Sequence, residues 1–527
     1  MKALDALKKL FGIKGSDMKS EKINLKEKKE EKKVSKKSTA TTKKTPTSSD
    51  KKSDEVLAKK QEQKDNSKQT KQEMKEEKLS KQPKENKKEE IVVEAGSKTK
   101  PQKTEIKDEK SLRRKLMFCV REVTDNLYWV GGNDHRLALF ENIHPLTKGV
   151  SYNSYLLIDG SKTVLFDTVD WSVCKEFLAN IEYVLDGKKL DYLVINHLEP
   201  DHAGSIEEVL LRHPEAKVIS TEKGFMFMKQ FGYEVAEEKK IQVKEGDTQT
   251  FDKHTIAFVE GPMVHWPEVM LSFDTANGVL FSADAFGSFN ALDGKLFNDE
   301  VNFDRDWIDE ARRYYTNIVG KYGQFVQALL AKAAPLLPQI KFICPLHGPV
   351  WRNDFAYLLD KYNRWSAYIP EEKGVLIVYS TMYGNTEYAA QALASKLCQK
   401  GITNVKVCDA SNTDTSWLIS DTFKYSHVII ASVTYNLEIY PKIKTYLHDM
   451  KMLNVQNRTF AVLENGSWAP TAGDLISEFL DEEMKMINVL DPIVTVNSSL
   501  NKDKESDLDD MVDAIVESVN KTSIDVE

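Results

Sequence analysis

The chain has 527 residues, 74 Lys+Arg against 81 Asp+Glu, and 41% apolar residues, which is too long for one compact domain and too polar for an integral membrane protein. Its longest apolar runs, such as Val428 to Val433, fall well short of the roughly 18 residues a spanning helix needs, and Lys2, Lys8, Lys9 and Lys14 interrupt what would be the apolar stretch of a secretory leader. The five cysteines, Cys119, Cys174, Cys344, Cys398 and Cys408, are scattered without a C-x-x-C pair, which suits a reducing cytoplasm and excludes a fused zinc-ribbon or similar Cys-ligated module.

Residues 1–115 hold 36 Lys+Arg and 21 Asp+Glu, so a basic tail precedes an acidic body. From Gly12 to Lys115 there is no Phe, Tyr, Trp or Cys, and such a stretch cannot bury enough apolar surface to offset its ordering entropy. It is read as a disordered extension, a solvated spacer first and a contact for a membrane surface or partner second. Its mixed charge, with no aromatic interleaving, gives no reason to expect nucleic acid. Within residues 1–15, Leu4, Leu7, Leu10 and Phe11 recur at helical spacing beside basic residues, the pattern of a short amphipathic helix.

A folded domain is expected over residues 116–370. Asn126 to Val130, Tyr152 to Ile158, Thr163 to Val169 and Leu190 to Asn196 read as strands, and Val173 to Leu185 and Ile206 to Leu211 as helices. The fourth strand runs into V-I-N-H-L-E-P-D-H-A-G, which places His197, Glu199, Asp201 and His202 within six residues. All four are metal-binding side chains, and alternation leaving a strand would send His197, Glu199 and Asp201 to one side. Pro200 is expected to keep Glu199 extended. Three further ligand types follow at strand ends: His265 in G-P-M-V-H-W-P-E, Asp284 in V-L-F-S-A-D-A-F-G and His347 in F-I-C-P-L-H-G-P. A lone His in such a place is usually a core or turn residue; together the seven describe a two-metal site.

The pattern H-x-E-x-D-H, then His265 after 62 intervening residues, Asp284 after 18 more and His347 after 62 more, closely resembles the flavodiiron proteins. The resemblance implies a metallo-β-lactamase-like αββα sandwich holding two non-haem irons: His197, Glu199 and His265 on one, Asp201, His202 and His347 on the other, and Asp284 bridging. Hydrolases of this fold typically show H-x-H-x-D-H, and the carboxylate of Glu199 at the second position favours harder, redox-active ions over zinc.

Residues 371–527 read as a second domain. After a short polar connection at Trp365 to Lys373, the apolar run Gly374 to Tyr379 suits a strand buried on both faces. Strands at Val405 to Cys408, Val428 to Val433, Thr459 to Leu463 and Ile493 to Val496 alternate with helices at Thr386 to Lys400, Ile439 to Met450, Leu475 to Met486 and Leu508 to Val519. This predicts a doubly wound parallel sheet of five strands. The turn S-T-M-Y-G-N-T-E after its first strand offers backbone N–H groups to a phosphate and has no P-loop Lys. It resembles the flavodoxin phosphate loop, so Thr381, Met382, Tyr383, Gly384, Asn385 and Thr386 are candidate FMN contacts. Flavodoxin-like domains hold the flavin ring with the loops after the third and fourth strands, here Thr434, Tyr435 and Asn436, then Asn465, Gly466, Ser467 and Trp468. Trp468 or Tyr435 would stack on the ring.

The resemblance thus implies an oxidoreductase that reduces dioxygen to water, nitric oxide to nitrous oxide, or both, with FMN relaying electrons from an external donor such as rubredoxin. It also implies a head-to-tail homodimer or a homotetramer. His144 and Trp266 are candidates for shaping the gas pocket. The competing reading is a zinc-dependent hydrolase of the same fold with an accessory flavodoxin domain.

Overall fold

The computed structural model describes residues 118–524; the expected basic extension, its amphipathic helix at residues 1–15 and the start of the first domain at residue 116 lie outside them. Among the described residues no helix is long and apolar enough to cross a membrane.

The first half is built on two sheets. One orders Arg121–Thr124, Leu127–Trp129, Tyr155–Asp159, Lys162–Phe166, Tyr192–Val194, Lys217–Ser220 and Lys240–Gln242; the other orders Thr248–Thr250, Thr255–Glu260, Met270–Asp274, Val279–Phe281 and Phe342–Cys344. Their inner faces share one core, in which Tyr155, Val164, Phe166 and Val194 of the first sheet meet Phe258, Met270, Phe281 and Cys344 of the second. The Phe166 and Phe281 rings stack across it at 3.8 Å, a contact only two sheets packed face to face can make. Helices Cys174–Leu185, Gly323–Ala333 and Phe355–Ser366 bury their apolar stripes elsewhere in the core, through Phe177, Ile181, Leu329 and Leu359 among others. Two sheets with helices outside them make the αββα sandwich.

Each expected metal-site residue follows the end of a strand. His197 and Glu199 come just after Tyr192–Val194, His265 lies between Thr255–Glu260 and Met270–Asp274, Asp284 follows Val279–Phe281, and His347 follows Phe342–Cys344. The extended path past Tyr192–Val194 stops sooner than the sequence suggested. Glu199 is extended (φ −60, ψ 139), but Pro200–Ala203 is a helical turn with the proline at its first position, where the missing N–H costs nothing. Strand alternation therefore does not place Asp201; a helical turn carries it and His202.

The second half is a parallel sheet in the order Val405–Asp409, Glu372–Tyr379, Tyr425–Tyr435, Arg458–Asn465 and Ile487–Val489, the flavodoxin-like arrangement. Three expectations need correction. The fifth strand is split: Ile487–Val489 and Val494–Val496 both pair in parallel with Arg458–Asn465, and Pro492, which has no N–H to give a ladder, lies in the break. A helix, Thr415–Lys424, was not anticipated; the Asp414 side chain caps it by accepting from the Ser416 N–H. Trp365 is no part of a polar connection, because it is buried in the helix Phe355–Ser366 and its indole N–H donates to Glu371 at 2.7 Å.

Buried arginines tie the two halves together. Arg312 pairs with Glu371, which also accepts from Lys361 at 2.7 Å. Arg313 lies over the rings of Phe289 and Trp417 and donates to Ser416 at 3.1 Å. Arg458 is 2% exposed and donates to the carbonyls of Thr422, Phe423 and Tyr368 at 2.6, 2.7 and 2.7 Å.

Candidate functional site

All seven expected residues converge, in two sets: His197, Glu199, His265 and Asp284 form one, and Asp201, His202 and His347 the other. Asp284 stands between them. Its Oδ2 is 3.1 Å from His265 Nε2 and 3.5 Å from His197 Nε2, while its Oδ1 is 3.1 Å from His202 Nε2. Glu199 Oε2 is 2.9 Å from His265 Nε2, and Asp201 Oδ2 is 3.2 Å from His347 Nε2. The four imidazoles all turn Nε2 toward the carboxylates.

The local fold explains the convergence. Asp167 accepts from the Asn196 N–H at 2.6 Å, the Asn196 amide at 2.7 Å and the His197 N–H at 3.2 Å, fixing the loop that carries His197. Thr168 Oγ1 donates to the His202 carbonyl at 2.7 Å. Asn153 donates to the carbonyls of Pro345 and Gly348, both at 2.9 Å, and so clamps the turn that presents His347. Asp284 is bracketed by Ala283 (φ 50) and Phe286 (φ 70), and Met263 (φ 63) precedes His265. Left-handed backbone at non-glycine residues is unfavourable and tends to collect at functional sites.

The electrostatics describe a cluster short of positive charge. Burial opposes ionisation of Glu199, but the imidazoles of His197 and His265 hold its carboxyl well below the usual range. Asp284 is held well below it in the same way by His202 and His197. Asp201 is different: burial, joined by the charges of Glu199 and Asp284, outweighs His202 and raises it to about 7. Both oxygens of Asp201, Oδ1 of Asp284 and Nδ1 of His202 are buried with no hydrogen-bond partner. Asp201 thus touches His347 without hydrogen-bond geometry. Buried polar atoms left in this condition are costly, and cations between the two sets would satisfy the carboxylates, so the donor set fits a pair of metal ions.

Two neighbours went unnoticed in the sequence. Glu268, 3% exposed, accepts at Oε1 from the Leu198 N–H at 3.0 Å and lies 2.8 Å from His197 Nδ1. It ends the run G-P-M-V-H-W-P-E, so its position beside His265 was visible, but nothing local announced that it reaches His197. Glu141, whose carboxyl meets that of Glu199 and is pushed up to about 8 by burial and the Glu199 charge, gave no sequence signal. Of the two gas-pocket candidates, Trp266 sets its ring edge-on to His197 at 5.4 Å. His144 faces Glu141 and Phe289 instead, and burial together with the nearby Arg313 lowers it to about 4.

The second domain offers a cleft of about 320 Å³ at the carboxyl edge of its sheet. Thr381, Met382, Tyr383, Asn385 and Thr386 of the first loop line it, with Thr434 and Asn436 of the second and Asn465, Gly466, Ser467 and Trp468 of the third. Gly384 and Tyr435 are not in its wall. Gly384, at φ 89, instead shapes the turn before helix Asn385–Gln399, where its N–H donates to Thr381 Oγ1 at 3.0 Å; Tyr435 lines a neighbouring concavity with Pro441 and His448. Ser498, from the loop after Val494–Val496, joins the cleft unpredicted and is held by Asn465 through its N–H at 3.1 Å and carbonyl at 3.0 Å. The cleft fits a flavin mononucleotide in chemistry as well as size. A helix N-terminus opens on it for the phosphate, the Ser380 hydroxyl is buried and unpartnered beneath the loop, and Trp468 supplies a ring face.

Comparison with known proteins agrees with this geometry. Residues 150–348 match the ODP family beta lactamase and residues 377–491 match Flavodoxin. The anaerobic nitric oxide reductase flavorubredoxin of Klebsiella pneumoniae is 32% identical over 374 residues, 68% of this chain and 74% of that protein. Its namesake from Escherichia coli is 32% identical over 369 residues, covering 68% and 75%. Among solved structures, rubredoxin oxygen:oxidoreductase from Desulfovibrio gigas superposes with a TM-score of 0.71 at 29% identity over 76% of this chain and 98% of that one. The flavodiiron protein from Giardia intestinalis gives 0.70 at 25% identity with the same coverage. Relatives this similar along most of their length, named as reductases, set aside the hydrolase alternative, and the chain belongs to the flavodiiron proteins, a family of oxidoreductases.

Proposed function

We propose that this chain reduces dioxygen to water, nitric oxide to nitrous oxide, or both, at two iron ions, with FMN passing on electrons from a separate donor. The observation that carries the reading is Asp284, whose two oxygens face the two ligand sets separately. His197, Glu199 and His265 would hold one iron, Asp201, His202 and His347 the other, and Asp284 both. When bound, the irons and FMN supply four electrons, which with four protons turn one dioxygen into two waters, or in pairs with two protons turn two nitric oxides into nitrous oxide and water.

The chain's own residues orient and insulate that chemistry. With Nε2 of His197 turned to the cluster, its Nδ1 must carry the proton it shares with Glu268, which fixes tautomer and ring angle. His347 Nδ1, 2.7 Å from the Ser151 carbonyl, is fixed alike. Trp266 and the carbon walls of Tyr152, Phe140 and Tyr314 against the imidazoles keep bulk water from the ligands. In the second domain, Asn385 and Thr386 would bind the FMN phosphate and Trp468 would cover the ring.

The donor is proposed to be rubredoxin, as the name of the Desulfovibrio gigas relative suggests. Tyr383 and Trp468, 90% and 79% exposed at the cleft, support a head-to-tail homodimer or homotetramer in which a second copy covers the flavin. A cytoplasmic location is proposed on the five cysteines, all free among the described residues. The test is anaerobic purification, iron and FMN loading, and consumption of each gas with reduced rubredoxin. His265→Ala is expected to abolish consumption of both; full activity in that variant would overturn the reading.

A further inference from the structure

Behind the metal centre lies a second cavity, of about 30 Å³, unconnected in its lining with the flavin cleft. That is roughly two to three times the ~10–15 Å³ that houses one water by the same measure. Its buried wall includes Val264 and Ala285, the chain neighbours of His265 and Asp284. Leu329 and Tyr362 contribute from the helices Gly323–Ala333 and Phe355–Ser366, and the half-buried Ala333 and Leu337 form the side nearest solvent. The cavity therefore spans from the protein's skin to the backbone that presents two of the proposed ligands.

Its chemistry is uniform. Thirteen of the fourteen lining side chains are hydrocarbon, and the exception, Tyr362, has its hydroxyl occupied as acceptor of the Phe286 N–H. A water placed there would find almost none of the two to four partners it needs, and cavities of this kind stay dry and take up apolar guests such as xenon. Ions and polar metabolites are excluded by the same argument, because they would leave their hydration behind without replacement. An uncharged diatomic molecule has almost no hydration to lose and is small enough to enter.

The geometry points to a holding site for an uncharged diatomic gas, set between the surface at Ala333 and Leu337 and the rear of His265 and Asp284. This rests on the proposal that the metal centre consumes dioxygen or nitric oxide. A station on the way of a sparingly soluble substrate from the surface to the cluster would govern its rate of entry, so blocking it would act on KM and leave kcat alone.

Crystals of the iron-loaded protein under xenon pressure test it without turnover. Xenon is expected in the cavity of the wild type and absent from Ala333→Leu, which fills the cavity from its half-buried side. That variant should raise the KM for the consumed gas at least threefold with kcat and iron content unchanged. Leu329→Ala, which enlarges the cavity, should raise xenon occupancy, giving a second reading should Ala333→Leu fold poorly. No xenon in the wild-type cavity, unchanged occupancy in Leu329→Ala, or an unchanged KM once the site is blocked would each overturn the holding site while leaving the reductase standing. Failure of iron-loaded protein to consume either gas would overturn the reaction and the holding role together.

Discussion

Glu268 Oε1 lies 2.8 Å from His197 Nδ1, on the far side of the imidazole from the cluster. One buried carboxylate thereby orients a proposed ligand and, through the Leu198 N–H, the loop on which that ligand sits. Partners of this kind typically affect metal affinity by about 10–100-fold. Glu268→Gln keeps the shape and removes the charge, so iron affinity is expected to fall by about tenfold, with the far-UV spectrum unchanged. Iron retention during dialysis against a chelator of known affinity measures this; undiminished retention would show that the contact does not tune the site.

Arg458 is expected to stabilise the second half and, through Tyr368, its junction with the first. Its guanidinium serves the carbonyls of Thr422, Phe423 and Tyr368, and burial lowers its pKa to about 9. Arg458→Met leaves those buried acceptors without donors, at on the order of 3 kcal/mol. Urea denaturation followed by tryptophan fluorescence should show the loss, and a midpoint within error of the wild type would count against the assignment.

Flavin retention should depend on Thr386. It is 1% exposed, lines the cleft and accepts from the Asn465 amide at 3.3 Å. Thr386→Val is expected to weaken FMN binding by about tenfold, or about 1.4 kcal/mol, in a titration of flavin fluorescence against the apoprotein. An unchanged Kd would remove the first loop from the phosphate site.

The flavodoxin-like half carries a pH dependence independent of any metal. Burial lowers His427 from its ordinary value of about 6.5 to about 4, and its ring nitrogens rest against Ser426 Oγ at 2.8 Å and Ser518 Oγ at 2.9 Å. Between those two values the unfolded chain binds the proton and the folded chain does not, so stability rises with pH there and is lost as pH falls from about 6.5 toward 4. The full contribution is up to about 3 kcal/mol. His427→Asn should flatten this part of the stability profile in urea titrations at pH 7 and pH 5; an unaltered slope would contradict it.

The site was more legible in the sequence than the fold around it. His197, Glu199, Asp201 and His202 are packed into one short run and the other three residues follow apolar strands, so residue type and strand ends together revealed them. What strand periodicity could not supply was the helical turn at Pro200–Ala203, where a proline that ends an extended path also begins a helix. Glu268 escaped because its role is defined by a partner 71 residues away, and Ser498 because a loop after a split strand has no composition of its own. The helix Thr415–Lys424 was overlooked although Asp414 is a plain N-cap; Thr415, Ser416 and Thr422 are weak helix formers, and burial of Leu418, Ile419 and Phe423 decides in its favour.

Anomalous diffraction at the iron and zinc edges, from crystals of anaerobically purified and fully loaded protein, shows which metals the seven side chains hold and how many. Two iron peaks are expected, one within His197, Glu199 and His265 and one within Asp201, His202 and His347, with the Asp284 carboxylate reaching both. A single peak, zinc at either position, or metal bound away from these side chains would contradict the diiron assignment.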